Sequence, residues 1–248
     1  MLLEIDNVTR SFGGNRAVDG VSLALAAGEL AGLIGPNGAG KTTLFNLVAG
    51  ALPVHGGAIR FQGERLRSPV AACRAGLART FQNVRLFRDL TVLENVMAGM
   101  GGLGFVAATL RLRRTRNEER LRRKKAYYLL EDAGIGELAD RRAADIPFGQ
   151  QRLVEIARAL ATRPQLLLLD EPAAGLNRTE VTALAGLIRR IWDGGTAVLL
   201  VEHDMQLVMG LVPRLIVLES GRKIADGSPA AVRADPAVRA AYLGTPQL

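Results

Sequence analysis

A chain of 248 residues with 48% hydrophobic and 23% charged side chains has ordinary globular usage, which excludes a fibrous or disordered protein and suits one domain with insertions. Cys73 is the only cysteine, so an internal disulfide and a cysteine-based zinc site are both excluded. Of the net charge of +8, residues 111–125 carry nine basic and two acidic side chains; the rest is close to neutral, which argues against a nucleic-acid groove across the domain.

The opening Met-Leu-Leu-Glu-Ile-Asp places two acids where a secretory signal carries positive charge, and no apolar run approaches the ~18 residues of a membrane-spanning helix. The expectation is a cytosolic protein whose membrane role is peripheral. In chain order, Leu2–Val8, Ser22–Leu25 and Ile59–Phe61 read as short strands between Gly-rich turns, predicting an antiparallel patch near the N-terminus. Leu30–Ile34 suits a buried strand, followed by a Gly-rich loop and a helix over Lys41–Ala49 that Gly50 stops. From Thr91 to about Leu160 the pattern is helical. Thr91 caps Leu93–Met97 with Glu94 three residues on, Gly99–Gly104 reads as a flexible loop, and Glu118–Ala133 ends at Gly134. Strands then alternate with helices: Leu166–Leu169, Arg178–Trp192, Thr196–Val201, His203–Val212 and Leu215–Leu218. That alternation indicates a parallel sheet covered on both faces, hence an α/β fold.

Gly35-Pro36-Asn37-Gly38-Ala39-Gly40-Lys41-Thr42-Thr43 matches the P-loop pattern, here between a strand and a helix as that loop requires. The glycines let backbone N–H groups point at phosphate oxygens, and the following helix adds its positive dipole end. Lys41 supplies a compact charge to the outer phosphates and Thr42 a hydroxyl for Mg2+. Only four lysines stand among 28 arginines, and one occupies this position. Asp170 and Glu171 end the apolar strand at Leu166–Leu169, where doubly wound sheets bind ligands. Beside a P-loop, Asp170 is the candidate magnesium ligand, and Glu171 the group that polarises the water attacking the γ-phosphate of ATP. His203, after the strand at Thr196–Val201, is a candidate γ-phosphate contact.

In this order and spacing the motifs resemble the ATP-binding subunit of ABC transporters over nearly the whole chain. The resemblance implies a P-loop NTPase core with an N-terminal antiparallel β subdomain and an inserted helical subdomain: one ATPase domain over 1–248, with 1–90 and 161–248 as core and 91–160 as helical insert. It places Phe12 against adenine with Val18 beside it, and makes Gln82 a Q-loop glutamine that contacts magnesium and water. Ile146-Pro147-Phe148-Gly149-Gln150-Gln151 stands where the family's LSGGQ signature opens a helix, so Gly149 and Gln150 would close on ATP held by a second subunit. His203 matches the switch histidine. Arg79–Phe87, Asp170–Asn177, Val201–Met205 and the Ala-Tyr-Leu-Gly near the end look like branched-chain amino acid importers. That group implies integral membrane permease subunits, a second ATPase subunit, paralogue or self, in a head-to-tail dimer, and indirectly a substrate-binding protein. The location implied is the cytoplasmic face of the membrane.

Two departures stand out. Pro147 replaces the signature serine, losing a hydroxyl and a backbone N–H, and Phe148 replaces the first glycine. Loss of a charge-assisted hydrogen bond costs roughly 1.5–3 kcal/mol and implies looser closure of that ATP site; the resemblance, to a subfamily that tolerates other residues there, implies weakened rather than absent turnover. Asn177 stands where many relatives carry an aspartate, and an asparagine opening a helix explains it equally well. For the basic segment, a solvated helix face with Leu112, Leu121 and Tyr128 as an apolar edge and a lipid-facing patch are both open readings. A soluble ABC protein acting on nucleic acid or ribosomes is the alternative function. One P-loop, no sustained heptads and the local charge all weigh against it.

Overall fold

The computed structural model describes residues 1–80, 84–101, 113–203 and 205–242. Its first sheet is antiparallel. Strands β1 (Leu3–Phe12) and β2 (Asn15–Leu25) form a hairpin over Gly13 and Gly14, and β4 (Gly56–Phe61) and β5 (Glu64–Arg65) extend it in the order β2-β1-β4-β5. Both hairpin strands are longer than the sequence pattern indicates. Bulges in the pairing, with Asn7 at φ 46, break the alternation on which strand recognition rests.

The second sheet has six strands: β3 (Leu30–Ile34), β6 (Leu77–Arg79), β7 (Leu166–Asp170), β8 (Ala197–Val201), β9 (Arg214–Glu219) and β10 (Arg222–Gly227). Their order is β10-β9-β3-β8-β7-β6, with every pair parallel except β9 and β10. Every residue of β3, β7 and β8 is buried, as near-continuous apolar strands in a two-sided sheet must be. Alternate residues serve opposite faces. Leu166 and Leu168 pack with the antiparallel sheet and α1 (Lys41–Val48), whereas Leu167 and Leu169 pack with the helices on the other side.

Those helices include α3 (Val92–Gly99), α4 (Arg113–Asp132), α5 (Phe148–Leu160), α6 (Arg178–Asp193) and α7 (Met205–Leu211); α2 (Pro69–Arg74) lies between β5 and β6, while α8 (Pro229–Ala234) and α9 (Pro236–Tyr242) follow the last strand. The capping box expected at Thr91 and Glu94 forms. Gly99 is not part of a flexible loop. It ends α3 against α5, where a Cβ would meet the Arg158 carbonyl at 2.1 Å, so a glycine lets the two helices touch. Residues 102–104 of that stretch, and Leu112, lie outside the described residues. The apolar edge expected on α4 is also displaced: Leu121 and Tyr128 are more than half exposed, and Ala126 and Leu130 face the core instead. Arg122 donates to the Met97 carbonyl at 3.1 Å and to the Gly101 carbonyl at 2.5 Å, so this basic residue caps the end of α3 rather than facing solvent alone.

Candidate functional site

The register Leu33↔Val201 between β3 and β8, and Asp170↔Val201 between β7 and β8, aligns the carboxyl ends of three buried strands. The loops leaving those ends are the P-loop, the Asp170-Glu171 pair and Glu202-His203. A doubly wound sheet binds ligands at such an edge.

The P-loop bounds a cavity of about 450 Å3 lined by Asn37–Thr43 together with Asn15, Arg16, Ala17, Glu171 and Ser220. Gly35 and Gly40 have positive φ, and a Cβ on either would strike a backbone carbonyl, of Leu218 at 2.1 Å and of Ala17 at 2.2 Å. Only glycine lets the loop close this tightly. Gly38, also at positive φ, has open space around it, so the rim of the loop is free to receive a ligand. Lys41 is buried, with Nζ donating to the Gly35 carbonyl at 2.6 Å and the Pro36 carbonyl at 3.0 Å. Burial pushes its pKa down, and the Glu171 and Asp170 carboxylates oppose that shift. Thr42 is exposed on the cavity wall.

Asp170 is almost fully buried and accepts from Arg79 Nη2 at 2.7 Å; Arg79 Nη1 donates to Asn46 Oδ1 on α1 at 2.6 Å. Spacing in the sequence does not reveal this ion pair, because Arg79 and Asp170 are 91 residues apart. Glu171 turns the chain at φ 46, a conformation that side-chain-bearing residues adopt at a cost, and its N–H donates to the Val201 carbonyl at 2.9 Å. The turn carries Glu171 to the cavity wall while Asp170 stays inside.

Glu202 is a further residue that sequence reasoning passed over. It is fully buried; Oε1 accepts the Ala173 N–H at 2.7 Å and Oε2 the His203 N–H at 3.2 Å. Burial pushes its carboxyl up, opposed by those two amides. The only sequence signal is an acid directly after an apolar strand. His203 is itself exposed, its Nδ1 3.8 Å from Glu202 Oε2, and it does not line the cavity.

Of the other expected contacts, Phe12 is exposed at the end of β1, paired across the hairpin with Asn15 of the cavity wall. The expectation for Val18 needs correction. Its side chain is fully buried between the sheet and α1, because a bulge between its pairing and that of Val21 shifts the alternation of β2, and Arg16 and Ala17 reach the cavity in its place. Gln82 lies outside the described residues. Gly149 and Gln150 sit in the first turn of α5, away from the cavity lining, and a Cβ on Gly149 would meet Glu180 Oε1 at 2.2 Å. Glu180 belongs to a capping box with Asn177, which opens α6 through Oδ1 to the Glu180 N–H at 3.0 Å. Asn177 therefore has a helix-capping role that needs no charge.

Taken together, a glycine cradle, a buried lysine and two carboxylates at the carboxyl edge of a parallel sheet define an ATPase of the P-loop class. The sequence profile of the ABC transporter family matches residues 18–174, and a profile described as a branched-chain amino acid ATP-binding cassette transporter matches residues 222–246. The chain belongs to the ABC transporter ATP-binding family, and it is an ATP-binding, ATP-hydrolysing subunit. It is 42% identical to the high-affinity branched-chain amino acid transport ATP-binding protein BraF of Pseudomonas aeruginosa and 41% identical to LivG of Escherichia coli, each match covering 98% of both chains. Among solved structures, a nucleotide-free ATP-binding cassette from an ABC transporter superposes with a TM-score of 0.84 at 31% identity, covering 97% of this chain and 98% of that one.

Proposed function

We propose that this protein powers an importer of branched-chain or related amino acids by binding and hydrolysing ATP at the P-loop cavity. The match of residues 222–246 to the branched-chain cassette profile supports the substrate class, as do the full-length relatives BraF and LivG. The observation that carries the mechanism is the division of labour at the sheet edge. Glu171 is on the cavity wall, Asp170 is inside, and the signature residues Gly149 and Gln150 lie in the first turn of α5, outside that cavity's lining.

In this reading the P-loop amides and Lys41 bind the phosphates, Thr43 and Asn37 bound the same cavity, and Phe12 stacks on the base. The oxygen donors Thr42 and Asp170, with Gln82, suit a hard cation and would hold Mg2+, which when bound neutralises charge on the phosphate oxygens. Glu171 orients and deprotonates the attacking water, and His203 reaches the γ-phosphate. Gly149 and Gln150 close on the ATP of a second ATPase subunit, paralogue or self, arranged head to tail. No helix among the described residues is long and apolar enough to cross a membrane. In the same reading permease subunits hold the protein at a membrane, with the helical insert at 91–160 as the part that meets them and a substrate-binding protein acting from the other side.

Replacing Glu171 by Gln tests the chemistry. The expected result is retained ATP binding with turnover reduced about 100-fold or more, the loss typical of a missing general base. Turnover at the parent rate would remove Glu171 from its role. Integral membrane proteins that co-purify after detergent extraction, followed by a transport assay with leucine, isoleucine and valine, test the substrate class.

A further inference from the structure

Directly after residue 83 the chain passes through 84–90 before entering α3, and both of the helices beneath it grip its backbone. On the α3 side, buried Asn95 accepts the Phe87 N–H at 2.8 Å through Oδ1 and donates to the Phe87 carbonyl at 3.0 Å through Nδ2. On the α5 side, Arg158 Nη1 donates to the Arg85 carbonyl at 2.5 Å. Glu155, one turn earlier on the same helix, lies 3.9 Å from Arg158 Nη2 and 3.0 Å from Arg152 Nη1, and both Glu155 and Arg152 are buried. The Arg85 N–H acts on the Glu155 carboxylate closely enough to favour its charge, against the burial that pushes its pKa up.

A buried charge cluster of this kind is costly to assemble and is weak evidence for stability alone. Its position suggests a different use. The signature residues Phe148, Gly149 and Gln150 open the same helix, so a rigid α5 connects the Arg85 backbone to the helix end that meets a partner's nucleotide.

We propose that Glu155 and Arg158 are positioning residues forming a clamp on Arg85, so that displacement of segment 84–87 is transmitted along α5 to Gly149 and Gln150. This rests on the reading of the signature given above. The clamp makes no contact with ATP. It acts by tying two segments that flank the nucleotide into one moving body, with Asn95 and the close approach at Gly99 holding α3 to the same body.

Hydrogen exchange by mass spectrometry on the full chain carrying Glu171→Gln, with and without ATP and Mg2+, tests the clamp. In the parent, nucleotide is expected to change exchange in both 84–90 and 146–151. Glu155→Gln and, separately, Arg158→Gln are expected to speed exchange at Arg85–Phe87 about tenfold, as loss of one charge-assisted hydrogen bond would. Both should confine the nucleotide response to 84–90 while leaving nucleotide affinity unchanged. Arg158→Lys, which retains a donor, is expected to restore the response at 146–151. Arg158 is a fifth exposed, so its variants are folded controls for any loss of structure at the buried Glu155. Variants that respond at 146–151 like the parent would overturn the clamp, and so would unchanged exchange at Arg85–Phe87 in both. A parent that binds ATP with 146–151 unmoved overturns the clamp alone. A parent that binds no ATP overturns the proposed function, and the clamp's role with it.

Discussion

Arg79 donates to Asp170 at 2.7 Å, in a pocket where the two side chains are 9% and 4% exposed, and reaches Asn46 on α1 with its other terminal nitrogen. One guanidinium thus ties the last residue of β6, the carboxylate ending β7 and the helix that carries the P-loop. Arginine's planar fork suits a site with two acceptors in different directions, where lysine would present a single point charge.

Arg79→Ala is expected to leave the Asp170 charge buried without its cation and to cost about 3–5 kcal/mol of stability, the usual consequence of removing one partner of a buried pair. Urea unfolding measures it. Mg2+ with ATP should raise the thermal midpoint more in this variant than in the parent, since a cation beside Asp170 replaces the missing charge. A stability loss under about 1 kcal/mol would mean that the pair is unimportant to the fold.

Pro147 opens α5 in an extended conformation without any side-chain bond to the first turn. Pro147→Ser would supply the hydroxyl that the helix end lacks, a cap worth about 1 kcal/mol, partly offset by the greater freedom of the unfolded chain. Stability is therefore expected to change little. The ATP concentration for half-maximal turnover should fall, by about tenfold if one charge-assisted hydrogen bond is gained across the dimer. Steady-state ATPase titrations decide this, and equal half-saturation in the two proteins would count against signature contact with nucleotide.

The parts of the site that were legible in the sequence are those whose physics is local. The P-loop needs glycines at fixed offsets to turn and to admit phosphate, and β7 is buried on both faces, so Leu166–Leu169 reads as an unbroken apolar run ending in Asp170 and Glu171. The expectation for Val18 rests on the resemblance alone, and the hairpin bulges that set which face of β2 points inward leave no local pattern to read. The Arg79–Asp170 pair and the Glu202 bond to Ala173 depend on which strands become neighbours. That order, with β3 between β8 and β9, is a product of crossovers that no local pattern encodes.

Tyr242, the last described residue of α9, has its phenol pushed up to about 12 by burial, with the Gly35 backbone opposing the shift. An unfolded tyrosine ionises near 10, so between about pH 10 and 12 the unfolded chain has lost a proton that the folded one keeps. Stability therefore falls as pH rises through that window and is fully present below it. A tyrosinate absorbance titration should lose its step near pH 12 in Tyr242→Phe, while Tyr127, raised by its hydrogen bond to the Glu131 carboxylate, still titrates late. An unchanged number of late-titrating tyrosines in Tyr242→Phe would assign the step near pH 12 to another residue.

Glu202 gives a second pH dependence at the opposite end of the scale, with direct bearing on His203. Its folded carboxyl sits above the ordinary range because burial outweighs the Ala173 and His203 amides. An acid whose folded pKa is raised holds its proton better in the folded state, so its contribution is greatest below the unfolded carboxylate range and falls as pH rises through the folded value. Glu202→Gln cannot ionise and should flatten that slope in thermal unfolding between mildly acidic and neutral pH. The amide has only one acceptor oxygen for two backbone N–H groups, so either the chain after Glu171 or the chain at His203 loses its anchor. Turnover is expected to drop about tenfold with ATP affinity unchanged, the signature of misplaced groups acting only in the transition state. A variant with parental turnover and parental pH slope would leave Glu202 with neither a positioning role nor an electrostatic one.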